Sequence, residues 1–197
     1  MHSTRLKLII AYILGALTVL GFAPFYFFVV PVITLAILLR YWYQCASSLQ
    51  AAALGFTFGL GLFSAGVTWV YVSLHDFGGM PVPVALFTLL LLCIYLSLFL
   101  AVAGLILAKL RIASPVIWAL TAAALWMLME WLRGTLLTGF PWLAIGYTQV
   151  PFSPLAGYAP IVGVYGVSLI LLLSAAFLFL LFEKGLSVRR PLLLLSA

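Results

Sequence analysis

Charges are rare in this chain, and the uncharged stretches between them have the length of a membrane crossing. Apolar runs end at Arg40, at Lys109 with Arg111, and at Lys184 with Arg189 and Arg190. Only 6% of the 197 residues are charged, whereas 67% are hydrophobic. A water-soluble fold of this length has too little interior for so many apolar side chains, whereas a bilayer takes helices of about 20 apolar residues each. The pattern specifies an all-α integral membrane protein, with the chemistry in its loops.

We read six spans, with approximate bounds 6–23, 25–43, 50–73, 83–108, 114–131 and 160–182. The first two are separated only by Gly21-Phe22-Ala23-Pro24, where Gly and Pro end a helix. Six spans place Arg5, Lys7, Arg40, Lys109, Arg111, Lys184, Arg189 and Arg190 on one side and Arg133 alone on the other. Merging the first two would carry Arg40 across. Basic loops face the cytoplasm, so the N-terminus is expected there. The net charge of +6 then reports orientation, with anionic lipid at the inner surface as its counterpart, and gives no sign of nucleic-acid binding.

Phe22-Ala23-Pro24 is a poor cleavage site, so the first span reads as a membrane helix and not as a signal peptide. The expected organisation is a polytopic transmembrane domain over 1–190. Pro191 to Ala197 then begins a seventh span, a stub too short to cross the bilayer. Cys45 falls in a predicted cytoplasmic loop and Cys93 inside a span, where thiols stay reduced or act as small apolar groups. His2 and His75 give no metal-ligand spacing, and neither metal nor cofactor is expected.

In the third span Gly55 and Gly59 form a GxxxG pair, which serves close helix packing or opens a groove for a lipid chain. Tyr41, Trp42 and Tyr43 at the inner interface, and Trp69 and Tyr71 at the outer one, read as aromatic anchors. A polar turn containing His75, Asp76, Gly78 and Gly79 follows. It is either a hydrated turn or a His–Asp pair that exchanges protons or meets a headgroup. No activated Ser or Cys stands beside it to make a nucleophilic triad.

The richest segment runs from Glu130 to Gln149, after the fifth span and on the side away from the cytoplasm. Glu130 and Arg133 are three apart, so on a helix they share a face and can pair. Ionisable side chains at membrane depth are costly and point to function. Gly139, Pro141 and Gly146 break the helix, while Phe140, Trp142 and Tyr147 stay close to the bilayer surface. Irregular backbone at that depth must be covered by protein or line a wet cavity. The segment is therefore expected to form an interfacial or re-entrant platform for a molecule with an apolar body and a polar head, or else a structural belt loop.

The order of these segments resembles the transmembrane part of the bacterial apolipoprotein N-acyltransferases. The resemblance rests on Gly21-Phe22-Ala23-Pro24-Phe25, on Trp69 to Gly78 with His75 and Asp76, and on Glu130 to Gln149. It implies an integral inner-membrane enzyme that moves an acyl chain from a phospholipid donor to the α-amino group of a diacylglyceryl apolipoprotein cysteine. In the family a Glu-Lys-Cys triad of a periplasmic nitrilase-like domain forms a thioester acyl-enzyme. That domain is not present in this sequence, and neither Cys45 nor Cys93 has the partners to replace its nucleophile.

No catalytic residue carries over, and the chain alone is expected to be inactive. Substrate contact is expected of Trp69, His75, Asp76, Glu130, Arg133, Phe140, Trp142, Tyr147 and Gln149. A non-enzymatic membrane protein, such as a lipid-binding or transporter subunit, remains an alternative, although the paired interrupted halves of many transporters are not visible. Another is an acyltransferase that works through His75 and Asp76.

Overall fold

Within lipid, helices gain little by hiding apolar surface from one another, so close approach at small residues decides which of them pack. The structure, a computed structural model, describes residues 2–183. Helix α1 (His2–Thr18) runs into a 3-10 turn at Val19–Gly21 and is followed by α2 (Val29–Tyr43) and α3 (Ser48–Gly66). A short α4 (Trp69–Val72) leads into one π-helical turn, Ser73–Phe77. Then come α5 (Val82–Lys109), α6 (Pro115–Arg133) and α7 (Ala159–Phe182), with three short 3-10 turns between the last two. Five helical stretches are long and apolar enough to cross a membrane, and the 15-residue α2 is a shorter apolar helix beside them.

Helix α3 sits between α1 and α5, and its glycines explain why. A Cβ on Gly61 would collide with the Tyr12 carbonyl of α1, and one on Gly55 with the Leu100 carbonyl of α5. Gly59 faces Ser97 of α5, whose Cα would lie 2.9 Å from a Cβ there. The GxxxG face thus serves helix packing, and the lipid-groove reading of it falls away.

The structure revises three readings of the sequence. The third span does not continue to residue 73: α3 stops at Gly66, where Leu143 of a distant loop fills the space a side chain would take. The second span begins at Val29 and not at residue 25, because Phe22 to Phe28 turn back through irregular backbone. Trp42 is no interfacial anchor. It is 3% exposed, stands against Trp126 at 6.0 Å and donates its indole N–H to the Ala51 carbonyl at 2.9 Å. Gly55 and Gly104 leave the room for that ring.

Charge divides the two ends. Arg5, Lys7, Arg40, Lys109 and Arg111 lie at the end where α1 starts and α2 and α5 finish. Arg133 is the one Lys or Arg among the described residues at the other end. At the basic end the Arg40 side chain donates to Glu183 at 2.9 Å, as does Gln44, which ties α2 to α7. The segregation read from the sequence therefore holds for the described residues. The predicted seventh span, 191–197, lies outside them.

Candidate functional site

The last turn of α6 carries the site. Trp126, Glu130 and Arg133 fall on one helix face at spacings of three and four, and all three are buried. The side chains of Glu130 and Arg133 do not pair. Among the described residues the ion pairs within 4.0 Å are Arg40–Glu183 and His75–Asp76. Glu130 is instead bonded to Trp126 and to the loop after α6 through one oxygen, and Arg133 to the loop alone.

Glu130 Oε1 accepts the backbone N–H of Ile145 at 2.8 Å and the Trp126 indole N–H at 3.1 Å. Arg133 Nη1 donates to the carbonyls of Phe140, at 2.8 Å, and of Trp142. Its guanidinium lies 5.2 Å from the centre of the Phe63 ring. The acid holds a loop N–H and the base holds two loop carbonyls, so together they fasten the loop onto the bundle. Charged hydrogen bonds of this kind are worth about 1.5–3 kcal/mol each. The Ser168 hydroxyl of α7 accepts the Gly146 N–H at 2.9 Å and secures the far side of the loop.

The loop so held is strained. Leu137, Thr138 and Leu143 adopt positive φ of 51°, 75° and 60°, a region that side chains other than Gly rarely occupy. Gly139 at φ 79° lies so close to the Gly134 carbonyl that a Cβ there would collide with it. Such backbone persists only where the surroundings impose it. The effect here is to bring Phe140 and Trp142 to the surface side by side, 5.1 Å apart, with Trp69 of α4 5.6 Å from Trp142. Trp142 is 52% exposed and Trp69 43%.

Beside this trio lies an open groove of roughly 530 Å³, within the range of small-molecule sites. Pro141, Trp142, Leu143, Tyr147 and Val150 form one wall, and Phe22, Ala23 and Tyr26 form the other. The second wall is the irregular link between α1 and α2, which the sequence reading used for recognition but not as part of a site. The groove is aromatic and apolar, with a phenol group on each side.

Among the residues expected at a site, the structure brings together Trp69, Phe140, Trp142 and Tyr147. Glu130 and Arg133 support them from beneath and are not presented at the surface. Gln149 is buried and donates to the Phe28 carbonyl at 3.1 Å, holding the two walls of the groove to one another. His75 and Asp76 lie on the separate π-helical turn. There His75 Nε2 is 4.0 Å from Asp76 Oδ1, and His75 Nδ1 is 2.8 Å from the Met80 carbonyl.

Residues 14–177 match the family described as "Apolipoprotein N-acyltransferase N-terminal domain". The protein named apolipoprotein N-acyltransferase from Nitrosomonas europaea is 58% identical over 172 residues, which cover 87% of this chain and 35% of that protein. The protein of the same name from Coxiella burnetii is 42% identical over 177 residues, covering 88% and 36%. That from Vibrio parahaemolyticus is 38% identical over 199 residues, covering 100% and 39%. The chain thus spans a little over a third of the length of these curated relatives. A membrane bundle whose α6–α7 loop is fastened by Glu130 and Arg133 under an aromatic groove belongs, by this match, to the apolipoprotein N-acyltransferase N-terminal domain family.

Proposed function

We propose that this chain is the membrane part of an N-acyl transfer system, and that its aromatic groove receives the lipid-bearing substrates. The donor is a phospholipid, and the acceptor is the diacylglyceryl cysteine at the N-terminus of an apolipoprotein. The setting is the bacterial inner membrane, with the N-terminus in the cytoplasm and the groove at the outer surface. One observation supports this above the others: a strained loop held by two buried charges sets Trp142 and Tyr147 on the wall of an open apolar groove, with Phe140 against Trp142. Indole and phenol rings have an apolar body and a polar tip, which suits the zone where acyl chains meet headgroups.

In this reading Trp142, Trp69, Phe140 and Tyr147 contact substrate. Glu130, Arg133 and Gln149 position the loop, and His75 and Asp76 meet the polar headgroup. The nucleophile that takes the acyl group lies outside this chain, in a nitrilase-like domain of the complete enzyme. The test is a chimera in which this chain replaces the matching third of the Nitrosomonas europaea relative. Acyl transfer from phospholipid to a diacylglyceryl lipopeptide is followed by mass spectrometry. Trp142→Ala should lower the rate by about 5- to 150-fold, the equivalent of roughly 1–3 kcal/mol, with folded yield and melting temperature nearly unchanged. Full activity in that variant, or loss of folding, would return the loop to a structural role.

A further inference from the structure

The basic end of the bundle carries a second built feature. Between the α2–α3 turn and the α5–α6 turn lies a pocket of roughly 410 Å³, lined by Trp42, Tyr43, Cys45, Arg111, Ile112 and Trp118 among others. Its aromatic walls are fixed. Trp42 is tied to the Ala51 carbonyl. Tyr43 meets Trp118 edge-on at 5.1 Å, and Trp118 meets Phe179 at 5.6 Å. Arg111 occupies a left-handed backbone conformation, φ 46°, which in a non-glycine residue must be imposed by its surroundings.

No acidic side chain lines this pocket. Among the described residues the one acid at this end is Glu183, and it is already engaged by Arg40 and Gln44. Five basic residues therefore face one acid there, and Arg111 makes no side-chain hydrogen bond or ion pair within the described residues. Arg111 is exposed, so its guanidinium is open to an anion from outside the described residues. A membrane surface supplies it, and a planar guanidinium matches the oxygens of a phosphate in a two-pronged fork. The rings of Tyr43 and Trp118 are of the kind that settles at the glycerol level of a bilayer.

We infer that this pocket binds the headgroup of an anionic phospholipid from the leaflet at the basic end, with Arg111 on the phosphate and the Tyr43–Trp118 wall against the glycerol. The site lies at the opposite end from the aromatic groove and does not rest on the acyl-transfer reading.

Cys45 supplies the reporter, because its thiol lines the pocket. Burial pushes that thiol above its ordinary range, and Lys7 nearby acts in the opposite sense. Because Cys45 lines the pocket, occupation of the pocket should block alkylation. The 197-residue chain is placed in nanodiscs of dioleoyl-phosphatidylglycerol or of dioleoyl-phosphatidylcholine and treated with N-ethylmaleimide. Peptide mass spectrometry separates Cys45 from Cys93, which is 3% exposed within α5.

Labelling of Cys45 should be about five-fold slower in phosphatidylglycerol, as expected for roughly 80% occupancy. Arg111→Gln should abolish that protection. Lys109→Gln removes the same charge from the same end without touching the pocket lining and should keep it. Equal rates in the two lipids would overturn the inference. So would equal effects of the two variants, which would indicate a diffuse surface potential. Full protection by inorganic phosphate in phosphatidylcholine nanodiscs would overturn it as well, by assigning the pocket to a soluble anion.

Discussion

Arg133→Gln tests whether the aromatic loop is held by charge. Arg133 gives one nitrogen to two carbonyls, those of Phe140 and Trp142, and lays its guanidinium on Phe63. Two hydrogen bonds to a charged donor are worth about 1.5–3 kcal/mol each, and the ring contact about 0.5–2. Gln is shorter and neutral and recovers one bond at best, so the net loss is about 2–4 kcal/mol. Those bonds fasten the loop and not the helices, so the loss should appear as local opening. Hydrogen exchange followed by mass spectrometry reads this directly. Peptides over 134–149 should exchange about 30- to 900-fold faster in the variant, the factor that 2–4 kcal/mol represents. Peptides from the middle of α5, packed on α3, should not change. Arg133→Lys keeps the charge but not the planar fork and should fall between wild type and Gln. Unchanged exchange in the loop would refute the argument, and so would equal acceleration throughout the bundle.

Cys45 and Cys93 should be dispensable, and the isolated chain should show no acyl transfer in detergent with phospholipid and lipopeptide; a thioester-linked acyl chain on either thiol, seen by mass spectrometry, would contradict this. For orientation, a cysteine at Asp76 should label with an impermeant maleimide from outside intact cells, whereas one at Arg40 should not; the reverse pattern would sink the assigned topology. Glu183 gives a pH dependence. The hydrogen bond from Gln44, followed by the hydrogen bond and charge of Arg40, holds its carboxyl below its ordinary range. Its contribution to stability is therefore present above the carboxyl's unfolded-state value and lost as pH falls through the lower folded value. The melting temperature should fall in acid below about pH 4.5, and Glu183→Gln should remove that part of the fall; an identical acid profile in the variant would count against the clasp.

Much of the bundle was legible because its signals are local. Uncharged run length marks the spans, and the placement of Arg5, Lys7, Arg40, Lys109 and Arg111 marks the end they share. Boundaries were less legible where hydropathy runs on past a break. Val67, Val70 and Tyr71 continue the apolar pattern, yet α3 ends at Gly66, where Leu143 of the α6–α7 loop packs against the glycine. That contact joins segments far apart in sequence and leaves no local trace. The same holds for the groove: Trp142 and Tyr147 stood out as aromatics in a broken segment, but nothing near them announced Phe22 and Tyr26 as the facing wall.

The least legible point was the relation between Glu130 and Arg133. Spacing alone places them on one face and suggests a pair. It cannot show that positive φ at Leu137, Thr138 and Leu143 shapes a loop whose Phe140 and Trp142 carbonyls reach Arg133, nor that the Ile145 N–H reaches Glu130. This outcome bears on function. A plain connection from α6 to α7 needs neither strained backbone, at a cost of order 1–3 kcal/mol per residue, nor two ionisable side chains buried in the bundle. A Gly- and Ser-rich turn would serve. What the costly arrangement achieves is a fixed display of Phe140 and Trp142 against Trp69, beside a groove left open. Rigid exposure of large aromatics has little use in a turn and an evident use in receiving a lipid-bearing molecule, and that contrast favours a substrate platform over a belt loop.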